Sequence, residues 1–519
     1  STGILFHAQN MSLELDHNHD GFLDMPKNTN INLLNRWYVK TDDYTGQFLV
    51  RGLYDRRQGG QTKDALAVSP FASTPYHIDL NTWRVDGFMK NGYVFNHDLG
   101  TSIGIIASAS YHNQQNTYGL RQWNAAQTNA YLNAIFQTSF DDSASDPWDD
   151  HQHKLSTGVS FNYDGYNEEL LFASSLSPTY NLNRWEVTPG VFAEYTYTYK
   201  DKLTLLAGIR EDYSTRYGFF TTPRMNVRYA PFEWWTIRGS IGLGYRTPNA
   251  IADNAAFLAS NRIYDIHTDL AQERSMNTGV STVFYIPMGK RELQLSGEYY
   301  YTKFLDGVIA DMDRNLQGIT LYNMHDVDGA QYFSHNWQVE ATMEILRGWT
   351  MTAAFRYTDV KQTTFNSKAN EYQLRDKPLQ NKFKGIITTS YQTPLKTWQF
   401  DLTAQFNGEG RMPDGFVIPA GSNQYHVLDN GQIYHKWYPQ LLGQVTKFFR
   451  TWSIYLGAEN MTNFTQDNPI VGDRLEAKGE RHVGFVNPYS SNYDASMIWA
   501  PIHGWKLYLG FRWALERAE

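Results

Sequence analysis

The chain has 519 residues, a formal charge of −8 and no cysteine. The acidic balance excludes a basic nucleic-acid surface, and the missing thiols exclude disulfide and thiolate–metal chemistry. Aromatic residues are dense, with 35 Tyr, 29 Phe and 15 Trp, yet no apolar run is long enough for a membrane-spanning helix.

In chain order, strand-like sequence opens at Ser1 and runs to residue 13. An acidic loop follows, Asp16-His17-Asn18-His19-Asp20-Gly21-Phe22-Leu23-Asp24. Beyond it, segments of about ten residues alternate apolar and polar side chains, the period of a strand with two different faces. In 235–246 the apolar set is Trp235, Ile237, Ile241, Leu243 and Tyr245. In 293–302 it includes Leu293, Leu295, Tyr299 and Tyr301. In 337–345 it is Trp337, Val339, Ala341, Met343 and Ile345. In 398–407 it is Trp398, Phe400, Leu402, Ala404 and Phe406, and the last strand, 505–513, repeats the pattern from Trp505 to Trp513.

Short links, such as Lys200–Lys202, Met288–Lys290 and Leu346–Gly348, alternate with long ones, such as 59–77, 247–272, 305–325 and 463–490. The link 141–152 falls on the short side yet has twelve residues. Ten-residue alternating strands with aromatic ends, short turns on one side and long loops on the other predict an all-β protein, a transmembrane antiparallel β-barrel. About 20 strands are expected in this chain. Plugged outer-membrane transporters have about 22, so a 22-stranded barrel is expected, with residues 1–519 supplying all but its first two strands. Arg238, Arg246, Glu298, Glu340, Asp401, Glu459 and Arg512 are expected on the lumen face.

Several local patterns resemble the TonB-dependent transporters, above all those of Bacteroidota. Thr222-Pro223-Arg224 opens a strand ending at Tyr229-Ala230-Pro231, and the next closes on Gly244-Tyr245-Arg246-Thr247-Pro248-Asn249. Leu270-Ala271-Gln272-Glu273 is similar to the family's Leu-x-Pro-Glu, with Gln272 in place of proline. Ala458-Glu459-Asn460-Met461-Thr462-Asn463 resembles the family's penultimate-strand ending, and Phe511-Arg512-Trp513 its terminal strand. The resemblance implies a multi-pass protein of the bacterial outer membrane, in contact with its lipid. It also implies an N-terminal plug domain and a segment that engages the energy-coupling protein TonB, both expected outside this chain. It leaves open a surface-exposed substrate-binding lipoprotein.

The acidic loop matches a calcium pattern with glycine at the sixth position. Ca²⁺ takes six to eight oxygens, and alternate residues of a tight loop supply them. Asp16, Asn18, Asp20 and Asp24 would give side-chain oxygens and Phe22 its carbonyl. Lys27 stands where a bidentate glutamate is expected, so a further carboxylate is needed, Asp55 or Asp64. An ordinary polar turn is the competing reading. In cobalamin transporters of the family calcium orders surface loops near this place, so the resemblance puts cobalamin (vitamin B12) first as ligand. A ferric siderophore or haem comes second and a glycan third; a passive porin is the alternative outside the family. His267 lies where haem transporters of the family carry a ligand histidine, and with Tyr264 and Phe257 it is a candidate ligand contact, among further loop aromatics that include Tyr118, Trp123, Tyr322 and Tyr425. Gly100-Thr101-Ser102-Ile103-Gly104 matches a nucleophile elbow, but that motif needs a helix after the turn. No enzyme activity is expected.

Overall fold

The computed structural model describes residues 1–63, 65, 76–140, 150–172, 179–267, 269–315, 317–473 and 485–514. The chain divides into two compact units. Unit 1 comprises Ser1–Val227, Gly242–Tyr264 and Val471–Ser496, and unit 2 comprises Arg228–Ile241, Asp265–Ile470 and Met497–Glu519. The protein is all-β. Among the described residues the main sheet has 23 antiparallel strands, of which Tyr180–Asn181, Gly218–Thr221 and Glu371–Asp376 are short side pieces.

In unit 1 consecutive strands pair from Thr2–Met11 to Arg121–Ser139, each with the next. One registered row reads Phe6, Leu33, Gly52, Val85 and Tyr111. Its side chains stand open, with Phe6 68% and Leu33 51% exposed. The opposite face holds charge: Asp86 receives Arg84 at 2.6 Å and Arg51 at 3.0 Å.

Unit 2 repeats the contrast. Leu295, Ala341, Ala353, Ile387 and Ala404 form one apolar row. One residue away along each strand, on the other face, Thr342, Thr352, Thr388 and Thr403 form a polar row. Their hydroxyls meet at 3.0 Å between Thr342 and Thr352 and at 3.2 Å between Thr388 and Thr403. Phe400, Leu402, Val339 and Ile241 are all exposed. A sheet exposing aliphatic and aromatic rows while turning hydroxyls and ion pairs to its other face suits a lipid solvent. Tyr245 departs from the expected set: its ring centroid lies 4.0 Å from that of the buried Phe220.

Two-residue turns are found where short links are expected, at Gly289–Lys290 and Arg347–Gly348. The Thr101–Tyr118 and Arg121–Ser139 strands also meet in a two-residue turn, on the side where a long loop is expected. There the strands themselves are long. At ~3.4 Å per residue, strands of 18 and 19 residues run about 60 Å, or about 40 Å along the membrane normal at a ~45° tilt, beyond the ~25 Å apolar band of such a sheet. The protruding hairpin takes the place of a loop.

Candidate functional site

The acidic loop lies in unit 1 and is folded on its own backbone. The Asp16 carboxylate accepts the amides of Asp20 and Gly21, both at 3.1 Å. Asp20 accepts the Phe22 amide at 2.9 Å, and Asp24 accepts the His17 amide at 2.8 Å. Asn18 donates to Asp20 at 2.9 Å. Gly21 sits at φ +88°, where an L side chain is strained, and a Cβ there would come within 2.8 Å of the Phe485 ring. Burial, with the charges of Asp16 and Asp24 adding to it, pushes the Asp20 carboxyl up to about 6. Burial also raises Asp16. The five expected ligands thus share one loop, and their oxygens are hard donors. Among the described residues, however, no group of three or more acidic or histidine side chains converges tightly enough to hold an ion as it stands. Asp55 does not complete a set, since Asn30 and Arg57 take its oxygens at 2.7 and 2.9 Å. Asp64 lies outside the described residues. Lys27 turns to Glu14, 2.5 Å away.

The same loop is anchored to two distant segments of unit 1. The Phe22 ring stacks on Tyr493 at 5.9 Å, and Tyr493 packs edge-on to Tyr76 at 5.3 Å. The Tyr76 hydroxyl donates to the Ala259 carbonyl at 2.7 Å. Arg121 donates to the carbonyls of Ser260 and Arg262, the latter at 2.8 Å. Arg262 in turn pairs with Asp494 at 2.7 Å, and Ser260 donates to the same carboxylate at 2.9 Å. Arg121, Arg262, Tyr76 and Tyr493 are all buried. Sequence reasoning missed this hub, because its partners are more than a hundred residues apart and carry no spacing signal.

Tyr264 is buried inside the hub: its hydroxyl donates to the Asn254 carbonyl at 2.8 Å, and its own carbonyl accepts from Tyr180 at 2.7 Å. Phe257 is half-buried in the short helical stretch Ala252–Ala259. His267 belongs to unit 2 and is open to solvent, with Nδ1 3.3 Å from Asp326. His325 lies beside it in the chain of contacts, 3.1 Å from Asp306 and 3.6 Å from Asp326.

Unit 2 has a second hub, built on ion pairs. Arg411 meets Asp313 at 2.6 Å, and Arg375 meets Asp414 at 2.5 Å. The Asp414 amide donates to Asp313 at 2.9 Å, and Thr364 donates to it at 3.2 Å. The side chains of Asp313 and Arg411 are fully buried. Burial raises the Asp414 carboxyl, but the hydrogen bonds and charge of Arg375, with Arg411, hold it below the usual range. Next to it His435 stacks on Trp499 at 4.1 Å, and burial pulls its imidazole down to about 4. Ser102 of the nucleophile-like motif lies in a strand opposite Gln137, with no helix after it.

Residues 17–461 match the family described as TonB dependent receptor-like, beta-barrel. The chain belongs to the TonB-dependent receptor β-barrel family. Its members and the relatives below place it in the outer membrane. It is 22% identical over 304 residues to the iron-regulated outer membrane virulence protein of Vibrio cholerae, a match covering 54% of this chain and 43% of the relative. The chain thus spans less than half the length of the curated relatives it matches. The ferric-catecholate import receptor Fiu of E. coli K12 superposes with a TM-score of 0.62 at 12% identity, covering 98% of this chain and 77% of that one. The ferric citrate transporter FecA gives 0.60 at 10% identity, with 98% and 75% covered. At such identities the likeness to these TonB-dependent receptors is one of fold.

Proposed function

We propose that this chain is the membrane-spanning part of an energy-coupled importer of a scarce metal chelate. Capture at the surface loops would be followed by passage through a lumen that a plug domain closes and TonB opens. The carrying observation is the pair of buried loop hubs. Loops of a passive channel need no such fixed framework, whereas a receptor must present a preorganised surface to a dilute ligand. A single calcium ion at Asp16, Asn18, Asp20, Asp24 and the Phe22 carbonyl would pull the acidic loop into its final form. Because Phe22 stacks on Tyr493, that ordering would reach the Ser260–Asp494 contacts.

Cobalamin is the ligand the calcium-type loop favours. A ferric siderophore, ferric citrate or haem is the second reading, the first two favoured by the names of the relatives above. The two separate by calorimetric titration of the intact receptor with cyanocobalamin, ferric catecholate, ferric citrate and haem, each with calcium and with chelator. Cobalamin binding that vanishes with chelator supports the first reading. Tight ferric-chelate binding indifferent to calcium supports the second. Equal, weak permeation of all four in liposome swelling would overturn both in favour of a porin.

A further inference from the structure

The polar face of unit 1 carries two neighbouring rows of one kind of chemistry. One row reads Asp86, Ser110, Asn129, Asp164 and Glu186, and the next Arg84, His112, Gln127, Tyr166 and Arg184. Both lie opposite the open row of Val85 and Tyr111, because each stands one residue away along its strand. From Thr101, at the turn end of its strand, to His112 is about 37 Å along the strand and about 26 Å along the membrane normal at a ~45° tilt. The rows therefore stand where the ~25 Å apolar band ends on the side of the projecting hairpin. On the apolar face the exposed rings of Trp83 and Tyr111 meet at 5.0 Å near the same level, as interfacial aromatics do.

Asp164 turns the amides of these rows one way. Gln127 and Asn129 donate to its Oδ1 at 3.0 and 2.9 Å, and Asn162 donates to its Oδ2 at 2.5 Å. Gln127 also donates to the Tyr166 hydroxyl at 2.9 Å, and Asn129 to Asn162 Oδ1 at 3.1 Å. The N–H groups of Gln127 and Asn129 are thus spent within the wall, and their carbonyl oxygens face away from the carboxylate. Among the described residues no donor reaches either oxygen. Tyr166, whose oxygen accepts from Gln127, keeps its own proton to give. Gln127, Asn129, Asp164 and Tyr166 are all half-buried. On the same face, toward either end, Asn116 and Asn133 hold buried Oδ1 atoms with no partner. The wall offers acceptors and asks for donors.

Among the described residues no cation pairs with the two central acids. Asp164 takes only amides, and its row neighbour Glu186 takes the hydroxyls of Ser214 and Thr247 at 2.6 and 2.8 Å. The arginines of the two rows are committed elsewhere, Arg84 to Asp86 and Arg184 to Glu168. An anionic ligand therefore meets like charge at the centre, which suppresses wrong partners. A neutral ligand rich in N–H groups meets acceptors.

Gln127 Oε1 beside the Tyr166 hydroxyl, an acceptor beside a donor, is the complement of one carboxamide, whose N–H and C=O stand side by side. We propose that Gln127, Asn129 and Tyr166, held in place by Asp164, form a subsite for the peripheral carboxamides of an uncharged metal chelate. This rests on the importer reading above and narrows it to a corrinoid, over ferric citrate, ferric catecholates and haem, which carry carboxylate or catecholate charge.

The test is calorimetric titration of the intact receptor with four probes. They are cyanocobalamin, its monocarboxylic acids (one carboxamide hydrolysed to a carboxylate), ferric citrate and maltohexaose. One lost hydrogen bond weakens binding about five-fold, so Gln127→Ala with Asn129→Ala should weaken cyanocobalamin about thirty-fold. At least one monocarboxylic acid should bind about ten-fold more weakly than the parent, and that difference should vanish in the alanine pair. If the pair fails the heat-modifiable gel shift of a folded barrel, Gln127→Ala alone reads the same effect at about five-fold. Acids that all bind like the parent, or unchanged cyanocobalamin affinity in the folded pair, overturn the subsite. Tight ferric citrate binding that the pair leaves unchanged also overturns it, with the importer reading intact. Maltohexaose bound more tightly than cyanocobalamin, and lost in the pair, overturns the carboxamide as occupant. Equal, weak permeation of all four probes in liposome swelling overturns the importer reading itself.

Discussion

The two units hold their surface segments by different physics. In unit 1 the strands are long, up to the 22 residues of His151–Phe172, and the loops close chiefly on aromatic contacts and on Arg121 donating to backbone carbonyls, beside the Arg262–Asp494 pair. In unit 2 the later strands shorten, to the 10 residues of Phe383–Gln392 and the 8 of Trp452–Glu459. Its loops carry small sheets of their own, such as Val308–Asp311 with Gly318–Asn323, and close on buried ion pairs. Arginine donating to carbonyls needs no acidic partner and tolerates loss of one contact. A fully buried carboxylate facing two guanidiniums does not, because removing one partner strands a charge away from water.

Asp313→Ala should therefore have the largest effect. Breaking a buried pair from one side costs about 3–5 kcal/mol, and Arg411 would be left buried with the longer contact to Asp414, at 3.6 Å, in place of its 2.6 Å pair. Hydrogen exchange should rise around 364–366 and 411–414 while unit 1 stays protected. Equal protection in both units would erase the distinction. Next comes the lipid face. Leu295→Arg should cost about 2–4 kcal/mol, and Gln294→Arg, one residue away on the polar face, much less. Denaturant unfolding in lipid measures both, and equal costs would mean that the faces are misassigned.

The acidic loop gives a pH-dependent effect confined to unit 1. Asp20 titrates near 6 in the folded loop against an ordinary 3.8. Between those values the folded loop binds a proton that the unfolded chain does not. This group therefore favours folding at low pH, and its contribution is lost as pH rises through about 6. Calcium must displace that proton, so its affinity should fall as pH drops below about 6. Asp20→Ala should abolish calcium binding and leave the barrel folded, since the sheet's ladder hydrogen bonds do not pass through the loop. Calcium titrations at pH 5 and 7.5 on both forms decide this. The smallest effect is expected from Tyr76→Phe, which removes the hydroxyl's hydrogen bonds to the Ala259 carbonyl and to the Tyr493 side chain and keeps the ring packing on Tyr493. A loss of about 2 kcal/mol is expected, read as faster exchange at 257–262.

The alternation of Leu293, Leu295 and Tyr299 with Gln294, Ser296 and Glu298 was enough to assign an all-β membrane sheet, its two faces and its turn positions. A strand's side chains must point to opposite sides, and two solvents of opposite character write that period directly into the residues. The acidic loop was legible for a similar reason, since all five of its candidate ligands lie within nine residues. The hubs were not. Arg262 meets Asp494, and Arg411 meets Asp313, across 232 and 98 residues of chain, and nothing local marks either arginine as buried. The projecting Tyr118–Arg121 hairpin was also hidden, because alternation does not say where lipid ends and water begins. The register of neighbouring strands decided these features. It sets which distant side chains share a row, and only a row fixes which charges meet and which stay buried.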